Sequence, residues 1–105
     1  MADNKSELFE IKRFGGRPQK NSGRGWRQKG DATLGPFLVD VKEYEKTFGL
    51  SRSMWAKVAT DAIKHERMQP ALNVVLGDTL RLWVVEERMF MEMLEAWEEK
   101  YEGEV

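Results

Sequence analysis

The sequence predicts one α/β domain built on a mixed sheet of about four strands flanked by helices. Three observations carry that prediction. Apolar residues recur at helical spacing in three stretches and alternate in four short runs, and Gly, Pro and Asn-rich signals separate the two kinds. The resulting order is helix, strand, strand, helix, strand, strand, helix, which is a layered α/β arrangement. At 105 residues, 41% hydrophobic and 33% charged, the chain can bury a single modest core, so residues 1–105 are read as one domain with a basic arm near its start, over about 12–30.

The first helix spans residues 4–14. Asn4-Lys5-Ser6-Glu7 has the form of a capping box, and Leu8 and Ile11 fall on one face. Residues 15–30 combine glycine, proline and cations with no apolar period, which predicts a loop. Residues 31–34 and 37–42 then form a hairpin across the Gly35-Pro36 turn signal. The polar stretch ending at Gly49 is either a loop or an extension of that strand through Tyr44. Ser51 or Ser53 caps the next helix, whose core stripe is Met54, Trp55, Val58, Ala59, Ala62 and Ile63. Arg52, Lys57 and Lys64 fall on its solvated side, and His65, in the last turn, interacts with the helix dipole.

Pro70 ends that helix. Residues 71–76 and 79–85 alternate as two strands around a two-residue Gly77-Asp78 turn, with apolar groups on both faces, so this part of the sheet is covered on both sides or joins a partner. Residues 86–101 form an amphipathic helix with Met89, Phe90, Met93, Leu94, Trp97 and Tyr101 along one stripe. Such a stripe is core packing first and a dimer contact second.

Composition narrows the chemistry. Without cysteine there is no disulfide and no thiolate metal site, and one histidine argues against zinc with its usual ligands. No run of about 18 apolar residues and no signal-peptide pattern is present, so the expectation is an intracellular, cytoplasmic protein without membrane insertion. The formal net charge of -1 conceals an asymmetry. Residues 1–30 carry a net of about +5, and residues from Glu86 onward about -6.

The stretch that carries chemistry is Gly30-Asp31 through Phe37-Leu38-Val39-Asp40-Val41-Lys42. An acid inside an apolar strand is costly to bury without a metal, a cation or water beside it. Alternation puts Asp40 and Lys42 on one strand face, and a hairpin can bring Asp31 across from Asp40. Two close carboxylates repel unless a divalent cation lies between them, which makes the spot a candidate Mg2+ or Mn2+ site. The bland alternative is a same-face ion pair at the rim of the sheet. The preceding cations, Arg17, Lys20, Arg24, Arg27 and Lys29, suit the attraction of a polyanion to a site that is itself acidic, although a solvated linker would share their composition. Trp26 among them can stack on a base or anchor the loop.

An Asp followed by Asp-x-Lys in an apolar strand, here Asp31 and Asp40-Val41-Lys42, resembles the PD-(D/E)XK nuclease superfamily. Gly30 stands where that motif often has proline. With Asn21-Ser22-Gly23-Arg24 shortly before it, the chain resembles the Holliday junction resolvase branch, in its small archaeal-type and phage forms. The resemblance implies a restriction-endonuclease-like core, a metal site of Asp31, Asp40 and the Val41 carbonyl, and Lys42 acting on the attacking water or the developing oxyanion. It also implies a helix glutamate at the metal, Glu7 before Glu10, and a place for Ser22 near the scissile phosphate. Metal-dependent hydrolysis of branched DNA follows, with a non-catalytic nucleic-acid-binding module of the same fold as the alternative. Two opposed cuts in a junction further imply a homodimer, for which Trp83 and Trp97 are candidate anchors.

Overall fold

A computed structural model describes residues 4–19 and 31–102. The elements are α1 (Asn4–Phe14), β1 (Arg17–Pro18), β2 (Asp31–Leu34), β3 (Phe37–Tyr44), α2 (Arg52–Lys64), β4 (Gln69–Leu76), β5 (Leu80–Val84) and α3 (Glu87–Glu102). They form an α/β fold around a mixed sheet of order β1-β2-β3-β4-β5. Neighbours are antiparallel except β3 and β4, which run parallel and are joined through α2. The sheet therefore has five strands rather than about four. The extra one is β1, whose Arg17 and Pro18 pair with Thr33 and Ala32. A two-residue strand has no readable period, and its proline is tolerated because β1 lies at the edge of the sheet.

Each face of the sheet buries its own cluster. On one, Ile11 of α1 packs with Ala32 and Val41, with Phe14 against them. Phe14 also meets Trp83 edge-on at 5.0 Å between ring centroids. On the other, Val58 of α2 packs with Leu72 and Val74, flanked by Phe48, Trp55, Leu76 and Val84. β4 lies between the two helices, so its residues from Pro70 to Val75 are buried on both sides. Its apolar residues on both faces are satisfied by this double cover.

Local signals explain the boundaries. Leu34 pairs with Phe37, leaving Gly35-Pro36 as the hairpin turn, and Gly35 adopts the left-handed φ of 55°. β3 extends through Tyr44, the longer of the two readings. Ser51 is the cap: its Oγ accepts from the Met54 N–H at 3.1 Å, satisfying one of the free donors of the first turn.

α2 stops at Lys64, capped by His65, before Pro70 is reached, because Glu66 and Arg67 both turn to φ 57°. Pro70 sits in β4 instead. Gln69 N–H donates to the Pro36 carbonyl, and alternation turns the proline nitrogen away from β3, toward a stretch that β5 does not reach. The turn after β4 has three residues rather than two, since Leu76 pairs with Leu80, and Gly77 there takes φ 66°.

The largest departure is α3. Its apolar stripe predicts packing in the core, yet only Met89 is buried, and Phe90, Met93, Trp97 and Tyr101 are exposed. The helix follows an edge strand and is tied at its start, where Trp55 Nε1 donates to Glu86 and Arg88 donates to Gln69. Among the described residues no helix is long and apolar enough to cross a membrane.

Candidate active site

The hairpin register sets Asp31 directly opposite Asp40. Residues opposite one another in an antiparallel pair share a face of the sheet, and alternation adds Lys42 to that face. Lys42 Nζ lies 3.2 Å from Asp40 Oδ2, and both side chains are about three-quarters buried, at 26% and 23% exposure. In backbone register, β2 and β3 thus bring the positions of Asp31, Asp40 and Lys42, three residues named from the motif, to one part of the sheet.

α2 covers the same face. A pocket of about 10 Å³, lined by Leu38, Asp40, Val58 and Asp61, separates Asp40 from the helix. That is room for about one water. Burial pushes the Asp40 carboxyl above its ordinary range, and the Lys42 ammonium only partly offsets this. Two charges on α2 act more weakly: Lys57 favours the carboxylate and Asp61 opposes it. Lys57 and Asp61 themselves approach to 3.9 Å at the surface.

Asp61 is the acidic neighbour that reading the sequence missed. The signal was present in its position, three residues after Val58 on the inward stripe. Using it required knowing that the crossover lays α2 on the Asp40 face rather than the Val41 face.

The glutamates of α1 are elsewhere. Glu7 and Glu10 are buried, at 2% and 4% exposure, but α1 packs on the opposite face, with Ile11 on Ala32 and Val41. Glu10 is held by Arg81 through two contacts of 2.9 and 3.1 Å and by Arg13 at 2.7 Å. The hydrogen bonds from Arg81 keep its carboxyl below the ordinary range despite burial. Glu43 joins this side, accepting from Ser6 Oγ at 2.7 Å. The structure therefore does not gather Glu7 with Asp40 and Lys42; the sheet layer lies between α1 and that pair. Among the described residues no group of three His, Cys, Asp or Glu side chains is arranged to hold a metal.

Val41 has its side chain buried against α1, so only its main chain is available to a ligand. Arg17, on β1, lines an open polar cleft of about 580 Å³ with Gly15, Gln19, Thr33, His65 and Glu66. Thr33 is two residues along β2 from Asp31, which places this cleft beside the acidic site. Lys20, Ser22, Arg24, Trp26, Arg27 and Lys29 lie outside the described residues. Compared with family models, with curated proteins and with solved structures, the chain matches none.

Proposed function

We propose that this chain is a divalent-metal-dependent endonuclease that hydrolyses phosphodiester bonds in branched DNA, with a restriction-endonuclease-like core. The observation that carries the reading is the register of Asp31 against Asp40 with Lys42 3.2 Å from Asp40. The mixed five-strand sheet with helices on both faces is compatible with that core.

The donor set is all oxygen, which suits a hard cation such as Mg2+ or Mn2+. The unbalanced burial of Asp40 also fits one: a nearby ammonium is not enough to hold the carboxylate at its ordinary affinity for protons. Asp31, Asp40 and the Val41 carbonyl are the groups that would hold the ion. When bound, such an ion lowers the pKa of a coordinated water and offsets charge on the phosphate. Lys42 donates from a flexible stem to the attacking water or to a phosphate oxygen, and its pairing with Asp40 keeps it in place. The hydrophobic floor of Leu38 and Val58 limits water behind Asp40 and strengthens each of these interactions.

A second reading has one observation in its favour. Lys42 and Asp40 already satisfy each other, as a purely structural ion pair would, leaving a non-catalytic nucleic-acid-binding module of the same fold. Incubating the purified chain with four-way junction, flap, nicked and linear DNA, with Mg2+ or with chelator, separates the two. Metal-dependent cleavage of branched substrates supports the nuclease. Metal-independent binding without cleavage supports the module.

A further inference from the structure

We infer that the open cleft between the β1–β2 edge and the end of α2 is a nucleotide subsite, taking a phosphate at Arg17 and, at Glu66, a base with an exocyclic amino group. At about 580 Å³ the cleft has the size of a small-molecule site. Arg17, Gln19, Thr33, His65 and Glu66 bring polar side chains to its lining, and Met68 an apolar one. The Arg17 guanidinium, the His65 ring and the Glu66 carboxylate have no hydrogen bond or ion pair among the described residues, so all three are open to a ligand.

Both walls are held in place by the chain itself. On the β1 side, Gln19 Nε2 donates to the Arg17 carbonyl at 3.2 Å and to Thr33 Oγ1 at 3.3 Å, which leaves the Gln19 side-chain carbonyl and the Thr33 hydroxyl proton for a ligand. On the α2 side, the His65 N–H donates to the Asp61 and Ala62 carbonyls, and the Met68 N–H to those of Ala62 and His65. Glu66 and Arg67 between them are both left-handed at φ 57°, a conformation that is unfavourable for residues with side chains and that concentrates at ligand clamps.

Electrostatics orients the nucleotide. α2 ends at Lys64, so its carbonyl, partly negative end lies beside Glu66, the one acid of the lining. A phosphate is disfavoured there and belongs with the Arg17 guanidinium on the edge of the sheet. The α2 end instead suits an uncharged donor. A carboxylate accepts from the exocyclic amine of cytosine or adenine, whereas thymine and uracil present a carbonyl oxygen that it cannot bond. The His65 ring and the Met68 thioether supply surface for the face of the base.

The sheet register relates this cleft to the acid pair. Arg17 pairs with Thr33 and Thr33 with Leu38, so these positions share the sheet face of Asp40. Thr33 is two residues from Asp31, about 7 Å along β2, or about two base steps of roughly 3.4 Å. The subsite rests on the nuclease reading for its substrate class and adds a base preference close to the bond that is cut.

Nuclear magnetic resonance titration of the isotope-labelled full chain with deoxycytidine monophosphate, deoxyuridine monophosphate and inorganic phosphate tests it, each to ~10 mM so that millimolar Kd values are covered. The cytidine nucleotide is expected to shift the amides of Arg17, Thr33, His65 and Glu66, and phosphate those at the Arg17 end alone. The uridine nucleotide should bind at least about five-fold more weakly. Arg17→Met should weaken both nucleotides. Glu66→Gln, whose amide can donate to a base carbonyl as well as accept from an amine, should bring the two within about two-fold of each other. Arg17 and Glu66 are both exposed, so the substitutions leave the fold intact. No shifts in the cleft, equal affinity for the two nucleotides, or a preference that survives Glu66→Gln would each overturn the proposal. Cleavage of junction DNA by a chain that fails to bind the cytidine nucleotide would overturn the subsite and leave the nuclease. Binding in the cleft by a chain that cuts no branched DNA would support the subsite and remove the nuclease.

Discussion

Asp40→Asn should leave the protein at least as stable as the wild type while removing its proposed activity. Asp40 is only 23% exposed, has one close cation, and faces Leu38, Val58 and the acidic Asp61. Burial outweighs Lys42, so its carboxyl titrates above the ordinary range. In the window between the ordinary and the raised value the folded state binds more protons than the unfolded state. Stability therefore falls as pH rises through that window, and the cost is fully present above the raised value. Asparagine has nearly the same shape and carries no charge, so this cost disappears. Against it, Lys42 loses a partner, a loss worth up to about 1 kcal/mol for an ammonium that water still reaches. The net expectation at neutral pH is a change between zero and about 1 kcal/mol of stabilisation, or up to about 4–8 °C in Tm. Urea unfolding of both proteins at neutral and acid pH measures it, and the two curves should converge in acid. A loss of more than about 1 kcal/mol in Asp40→Asn would mean that the ion pair holds the sheet together and that the acid is structural.

Two other predictions address the second face and the basic arm. Arg81→Met strips Glu10 of its strongest partner while Arg13 remains, and should lower the urea midpoint at neutral pH. The Glu10 carboxyl is depressed in the fold, so its contribution is present above the unfolded pKa and lost as pH falls through the folded one; Arg81→Met should flatten that acid limb in urea titrations, and an unchanged limb would refute the assignment. Replacing Arg17, Lys20, Arg24 and Arg27 together by alanine should weaken DNA binding and reduce the slope of log K against log salt by about 0.9 for each phosphate that is no longer neutralised; an unaltered slope would make the arm a linker.

Much of the fold was legible because its signals are local. The first helix, the Gly35-Pro36 hairpin and the strand around Val74 follow from periodicity and turn chemistry alone, and the hairpin fixes the Asp31–Asp40 register. What was not legible depends on three-dimensional placement. β1 exists because the edge of β2 accepts Arg17 and Pro18, not because those residues prefer a strand. Glu7 has the right chain position for a metal ligand, but only packing shows that the face carrying Ile11, and Glu7 with it, turns to the Val41 side of the sheet. Asp61 lies three residues after Val58, and only the crossover that puts α2 above Asp40 makes it an acidic neighbour of that residue. The stripe of α3 has the composition of a core helix, and periodicity cannot distinguish a face buried within the chain from one left exposed.

The most direct test of the central claim is single-turnover cleavage of a labelled four-way junction by Asp31→Asn and Asp40→Asn, with DNA affinity measured on the same preparations. Both substitutions keep side-chain size and remove a carboxylate where a cation would be held, so cleavage should fall by several orders of magnitude. Affinity for DNA should hold or tighten slightly, since negative charge beside the phosphate is reduced. Cleavage by Asp40→Asn at the wild-type rate would contradict the account and leave the Asp40–Lys42 pair as part of the sheet's packing alone.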